Sequence, residues 1–327
     1  MKLKATDQIL FDAGTLIREH PPKWRDGHKR LVFEIACSSD FPFEGELVYA
    51  LWGEVELPAE LTARSRFTVE EGVFEYPAPS ESATVAWHLN FADPNLFVAY
   101  GSSLMAQDEI QVAEHPILGS MSEALTSMGK PPRTVDERQR PTPVTITGVQ
   151  RRCAIDTRPN PAAGRPGGLY GNAFERAPSA HIRAATKPLS PPTISNILAM
   201  AALPGGYGEY QREEIIYILS AAYAGFSAAR QESDRMTSAR SRTVIHTGYW
   251  GCGAFGGNRE LMTILQALAA DLAGVDVVFW AFDKAGVELA GAAHNWYERS
   301  RGIGLSVPNL VNEILRRKFQ WGFSDGN

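Results

Sequence analysis

Cysteine is scarce in this chain. Three occur in 327 residues, Cys37, Cys153 and Cys252, odd in number and far apart. That spacing excludes a disulfide-stapled frame and implies reduced thiols, so a cytoplasmic setting is expected. There is no CxxC pair, and the histidines show neither HxxxH nor HxH spacing, so no metal and no cofactor is expected. A basic balance is also missing. The formal net charge is -5, which removes the global positive field that recruits nucleic acid or an anionic membrane. The most apolar late stretch, LQALAADLAGVDVVFWAF, is broken by Asp271 and Asp276 and is not expected to span a bilayer. The opening residues, MKLKATDQILFDAG, lack the apolar core of a secretory leader. Hydrophobic residues make up 44% of the chain, enough for a sizeable core. A monomer is expected.

Two parts are predicted. Residues 1–75 read as an accessory region with two strand-like runs, RLVFEIAC and GELVYALWG, closed by the polar break PAPSES. Residues 76–327 read as the main domain. It opens with the strand ATVAWHLNFA and continues with a helical stretch over 104–128, the proline-rich break GKPPRTVDERQRPTP and the β-branched strand VTITGV. Residues 156–193 hold seven of the 21 prolines and read as one long loop, the kind that serves as a lid or binding loop. The helix REEIIYILSAAYAGF, the strand RTVIH, the helix RELMTILQALAADL and the strand VDVVFWAF follow. A last helix lies near SVPNLVNEILRRKF, with Ser306 as its cap and Pro308 in its first turn. Strands alternating with helices predict an α/β layered fold.

Between RTVIH and RELMTILQALAADL lies HTGYWGCGAFGGN, which contains Gly251-x-Gly253-x-x-Gly256. A strand, a glycine-rich turn and a helix make a phosphate site for a physical reason. Amides at the helix start have no internal partner, and the peptide dipoles favour an anion there. One helix end contributes only about 0.3–1 kcal/mol, so several amides must wrap the ligand. Gly251, Gly253, Gly256 and Gly257 let the backbone approach. A nicotinamide dinucleotide is one reading, with Asp283 at the end of the next strand as a ribose ligand. A plain strand-to-helix turn is another. Only about 70 residues follow the loop, too few to complete a doubly wound sheet. Trp250 and Phe255 flank the turn and read as ligand walls.

TGYWGCGAFGG resembles the signature of the poly(ADP-ribose) glycohydrolases, and VDVVFWAFD resembles that family's following strand. The resemblance extends over residues 84–320. It implies a macrodomain-like three-layer α/β/α fold with a mixed central sheet, plus the short N-terminal region. It also implies ADP-ribose as ligand, its diphosphate on the loop from Gly251 to Gly257 with Ala254 among the contacts. Phe255 would then pack by the ribose next to the scissile bond, and Phe282 would flank the adenine. Tyr170, in GGLYGNAF, is the candidate for stacking on the adenine.

The family's catalytic signature is a triple glycine followed by Gln-Glu-Glu. PGGYGEYQREE contains Glu213 and Glu214 but lies only 41 residues before Phe255, whereas the family separates the two by well over a hundred. Those glutamates read instead as dipole partners at a helix start. NFADPNLFVAYGSSLMAQDEI fits better. There Asp93 matches a ribose-contacting asparagine, Gln107 and Asp108 match the first two signature positions, and Glu109 matches the catalytic glutamate, 146 residues before Phe255. Glu109 would act as general acid and base, with Asp108 coupled to it. Val98, Ala99 and Tyr100 stand where the triple glycine is expected. If the backbone there had positive φ, each Cβ would cost roughly 1–2 kcal/mol; otherwise the loop takes another path.

The expected function is hydrolysis of poly(ADP-ribose), or of an ADP-ribosylated protein, by glutamate acid/base chemistry. A binding-only ADP-ribose module is the alternative, and an NAD-dependent oxidoreductase a distant third.

Overall fold

The computed structural model describes residues 4–37, 41–61, 63–74, 76, 84–237, 241–303, 306–324 and 326. The polar break PAPSES lies outside the described residues. In chain order the elements begin with β1 (Ala5–Asp12), α1 (Ala13–Glu19), α2 (Gly27–Ala36), β2 (Glu46–Trp52) and β3 (Phe67–Glu71). Next come β4 (Thr84–Ala92), α3 (Gln107–Glu114), α4 (Ile117–Ser127), β5 (Val144–Ile155), α5 (Ala173–Arg176), α6 (Ser179–Ala185) and β6 (Thr186–Ala201). The chain closes with α7 (Arg212–Met236), β7 (Arg242–Gly248), α8 (Arg259–Ala273), β8 (Asp276–Ala281), α9 (Lys284–Gly302) and α10 (Val307–Arg316).

The strands form a single sheet in the order β1-β2-β5-β6-β4-β7-β8-β3. From β6 to β3 neighbours run parallel, and from β1 to β6 they run antiparallel. The sheet is therefore mixed. Its faces are read from the two-residue alternation of side chains. On β6, Leu198 and Met200 pack into a core with α7, α8, α9 and α10, while Ile197 and Ala199 pack into a second core with α1 and α4. Helices cover both faces, which gives the three-layer α/β/α arrangement. The accessory region read from sequence, residues 1–75, supplies β1 and β2 at one edge of the sheet and β3 at the other.

Several local expectations change. RLVFEIAC is helical, not a strand. Asp26 caps α2 by accepting from the Lys29 amide at 3.0 Å, and Leu31, Val32 and Ala36 pack with Ile182 and Ala185 of α6. A cap and one buried face outweigh the β preference of a short apolar run. The 156–193 loop is partly ordered: it holds α5 and α6, and from Thr186 it is already strand β6. Ser306 occupies the N-cap position of α10 but its side chain makes no capping bond, although Pro308 does sit in the first turn.

Candidate functional site

Both halves of the candidate site lie at the carboxyl ends of adjacent parallel strands. β4 and β7 pair, with His88 opposite His246. After β4 the chain turns into α3; after β7 it forms the glycine loop and enters α8. Crevices beyond such strand ends are where open α/β sheets bind ligands. A cavity of about 250 Å³ opens here. Its wall includes Asp93, Gln107, Asp108 and Glu109 from one side and Gly251, Gly253, Ala254 and Phe255 from the other, together with Tyr170 and Phe282. Gly256 and Gly257 are not in that wall.

The glycine loop is folded on itself. The Gly257 amide donates to Gly251 O at 2.8 Å and the Gly256 amide to Gly253 O at 2.9 Å. These two amides close the turn and are not free for a ligand. The amides of Gly253, Ala254 and Phe255 have no hydrogen-bond partner among the described residues. They are the donors the loop offers to an anion. Gly251 takes φ +74°, and a Cβ there would sit 2.4 Å from that of Ala202. Asn258 caps α8 by accepting from the Leu261 amide at 3.0 Å. Trp250 is fully buried in the core, its indole N–H bonded to Met200 O at 2.9 Å. It supports the loop from beneath, while Phe255, half-buried, flanks the cavity.

On the other side, Gln107 fastens α3 to β4. Its Oε1 accepts from the Phe91 amide at 2.7 Å and its Nε2 donates to Leu89 O at 3.0 Å. Asp108 and Glu109 are only 7% and 4% exposed, so this QDE is not a solvated helix start. Asn90 Nδ2 donates to Asp108 Oδ1 at 2.9 Å. The Ala106 amide donates to Glu109 Oε2 at 3.1 Å. Burial, and after it the charge of Glu109, holds Asp108 well above the usual carboxylate range. Burial raises Glu109 as well, opposed first by the ammonium of Lys29. Two neighbouring acids whose proton affinities are raised together suit a role in proton transfer. Asp93 turns its carboxylate on its own backbone, accepting from the Asn95 amide at 2.8 Å.

The turn in place of the triple glycine takes another path. Positive φ falls on Phe97, at 63°, and not on Val98, Ala99 or Tyr100. Val98 and Ala99 line the cavity, and Tyr100 points into the second core. Glu213 and Glu214 lie in the first turn of α7, where Glu214 Oε2 accepts from the Gln211 amide at 2.7 Å. Asp283 caps α9, its Oδ1 accepting from the Gly286 amide at 2.7 Å, so that carboxylate is used within the fold.

Beside the cavity lies a larger one of about 450 Å³, and the two share Phe91, Gln107, Tyr170, Tyr249 and Phe282. Tyr170 and Phe282 meet edge to face with ring centroids 6.0 Å apart. Phe282 is 60% exposed, an aromatic face left open for a flat ligand. Sequence reasoning missed Asn90, Arg259 and Lys29. The guanidinium of Arg259 lies 5.1 Å from the Tyr249 ring centroid and lines the cavity beside the glycine loop. Its place as the first residue after Asn258 in α8 was the available signal.

Comparison with known proteins gives a match to a family model over part of the chain and a set of distant structures. Residues 169–288 match the family model described as poly(ADP-ribose) glycohydrolase, macro domain fold. The matched segment contains Tyr170, the glycine loop and Phe282, and stops short of Glu109. Among solved structures, the Thermomonospora curvata poly(ADP-ribose) glycohydrolase bound to the inhibitor ADP-HPD is 15% identical, with a TM-score of 0.45, over 89% of this chain and 85% of that one. The Deinococcus radiodurans enzyme in complex with ADP-ribose is 12% identical, with a TM-score of 0.44, over 90% of this chain and 96% of that one.

Proposed function

From the match of residues 169–288 to the poly(ADP-ribose) glycohydrolase family model with its macro domain fold, we propose that the chain is an ADP-ribose glycohydrolase acting on poly(ADP-ribose) or on ADP-ribosylated proteins. One observation carries this reading. Two buried carboxyls and three unused amides line the same cavity, from the ends of neighbouring strands. The amides of Gly253, Ala254 and Phe255, with Arg259 beside them, suit a diphosphate. The Tyr170–Phe282 pair suits an adenine. Glu109 then stands on the ribose side of the ligand.

In this reading Glu109, as the acid, gives its proton to the leaving oxygen while the bond from that oxygen to the anomeric carbon breaks. Positive charge develops on the ribose. The Glu109 carboxylate then takes a proton from the water that adds to the anomeric carbon, which restores the acid. Asp108, bonded to Asn90, shares the charge balance of the pair. The three separated free cysteines support a cytoplasmic setting.

A binding-only module is the second reading. It is favoured by the bond from the Ala106 amide to Glu109 Oε2, which occupies the acid as a helix-start acceptor, and by the Val98 side chain in the cavity. Measuring ADP-ribose release by wild type and by Glu109→Gln separates them. The hydrolase reading expects wild type to turn over and the variant to lose about 10²–10⁴-fold, with ADP-ribose binding kept. Equal binding without turnover in either protein would establish the module. Calorimetry with NAD tests the oxidoreductase: NAD binding far tighter than ADP-ribose binding would refute both readings.

A further inference from the structure

A buried cation sits on α2, which packs on α3, the helix that carries the two acids. Lys29 is 1% exposed, and its Nζ donates to Tyr100 O at 2.8 Å. The turn holding Tyr100 is stitched to the segment before α2. Gly101 O accepts from the amides of Arg25 and Asp26 at 2.9 and 3.0 Å, and Tyr100 Oη accepts from the Lys23 amide at 2.7 Å. A Cβ on Gly101 would lie 2.3 Å from Lys23 O, so this close approach requires glycine. The same turn places Val98 and Ala99 in the cavity wall with Asp108 and Glu109. The main charges acting on Lys29 are Glu109, then Asp108 and Asp26, with Arg25 from its own segment opposing. Those acting on Asp108 are Glu109, Lys29 and Asp93, with Asn90 donating to it, and those acting on Glu109 are Lys29 and Asp93, with the Ala106 amide donating to it. α2 also packs on α6 and β6, and no charged side chain of those elements is among the main influences on Lys29.

Two ionised carboxyls beside one ammonium would leave a net negative charge out of water. One proton shared by the acids makes the cluster neutral, the state that burial favours. We propose that Lys29 is a positioning residue for the acid pair, its ammonium holding Asp108 and Glu109 at a single proton between them. One carboxyl is then an acid and the other a carboxylate at the same time. Burial pushes Lys29 down to about 8, so it remains mostly charged at neutral pH. The catalytic consequence rests on the glycohydrolase reading; the charge state does not.

The test compares wild type, Lys29→Met and Lys29→Arg as full chains. Carboxyl-¹³C NMR follows the pair, assigned with Asp108→Asn and Glu109→Gln, and a pH–rate profile of ADP-ribose release is recorded alongside. In Lys29→Met the loss of the first proton from the pair moves up by at least one pH unit, tenfold in acidity, and Lys29→Arg restores it. The acidic limb of the rate profile moves with it. A smaller shift in folded Lys29→Met overturns the proposal. If that variant does not fold, the reciprocal measurement decides. In Glu109→Gln the Lys29 ammonium, followed by ¹³Cε, drops by at least one unit, and a smaller drop overturns the proposal. Shifted titrations with no turnover in wild type would sustain the charge role and refute the glycohydrolase.

Discussion

Gly251→Ala tests whether the glycine loop needs its shape. Gly251 has φ +74°, a conformation that costs an L side chain roughly 1–2 kcal/mol. Its new Cβ would lie 2.4 Å from the Cβ of Ala202 and 3.3 Å from the Cε of Met262. The methionine end can move aside. Ala202 is 2% exposed and follows β6, which is paired on both sides, so its backbone is held. Overpacking of that kind costs about 1–3 kcal/mol, and the two effects together come to about 2–5 kcal/mol. The easier relief is for the loop to open, breaking the bond from the Gly257 amide to Gly251 O and turning the amides of Gly253 to Phe255 away. Binding must then include the cost of closing the loop again. At 1.4 kcal/mol per tenfold, ADP-ribose affinity falls by roughly 30-fold to several thousand-fold. If the loop stays closed, the same energy appears as a drop in unfolding temperature of about 3–7 °C. Titration calorimetry and thermal unfolding of the same sample capture both routes. Gly291→Ala, where a Cβ meets nothing within 4 Å, is the control. A Gly251→Ala protein with wild-type affinity and an unchanged melting temperature would refute the reasoning.

Other perturbations reach the remaining parts. Tyr170→Ala or Phe282→Ala removes one ring of the aromatic pair; stacking is worth about 1–3 kcal/mol per base, so calorimetry should show ADP-ribose binding weakened by roughly 5- to 150-fold. Arg151→Met leaves Glu114 buried without its partner at 2.9 Å. Urea unfolding should show a loss of about 3–5 kcal/mol, largely recovered by adding Glu114→Gln. His246 is buried between His88 and Trp280, and burial holds it down to about 4. Its folded value lies below the unfolded one, so stability is lost as pH falls from about 6.5 toward 4, by about 1.4 kcal/mol per pH unit. Between pH 7 and pH 5, wild type should therefore lose about 2 kcal/mol relative to His246→Phe in urea unfolding.

What was legible in the sequence was what local chemistry decides. The run from RTVIH to VDVVFWAF shows strand, turn and helix because its β-branched residues, its glycines and the cap at Asn258 all act within a few positions. The placement of Glu109 beside the loop needed only the resemblance and a spacing. α2 was misread because LVFEI is apolar enough for either structure. The deciding contacts, with Ile182 and Ala185, come from a helix about 150 residues away. Lys29 was invisible for the same reason. A lysine two residues before an apolar run looks solvated until folding buries it and brings Tyr100 O to its ammonium.

The turn from Phe97 to Gly101 shows how one departure from a motif can be absorbed. Three side chains where glycines were expected implied three strained residues, or a different path. The path differs: the one positive φ falls on Phe97, whose ring is 1% exposed in the second core. Burying a phenylalanine stabilises by about 1.5–3 kcal/mol, enough to offset the roughly 1–2 kcal/mol of a left-handed residue. The next residues are then free to hold ordinary backbone angles, with Tyr100 turned inward to receive the Lys23 amide and to offer its carbonyl to Lys29. A flexible glycine turn needs no such support from the rest of the chain. This one is fixed by residues 23–29, so the N-terminal segment and the acid pair depend on each other through a single turn.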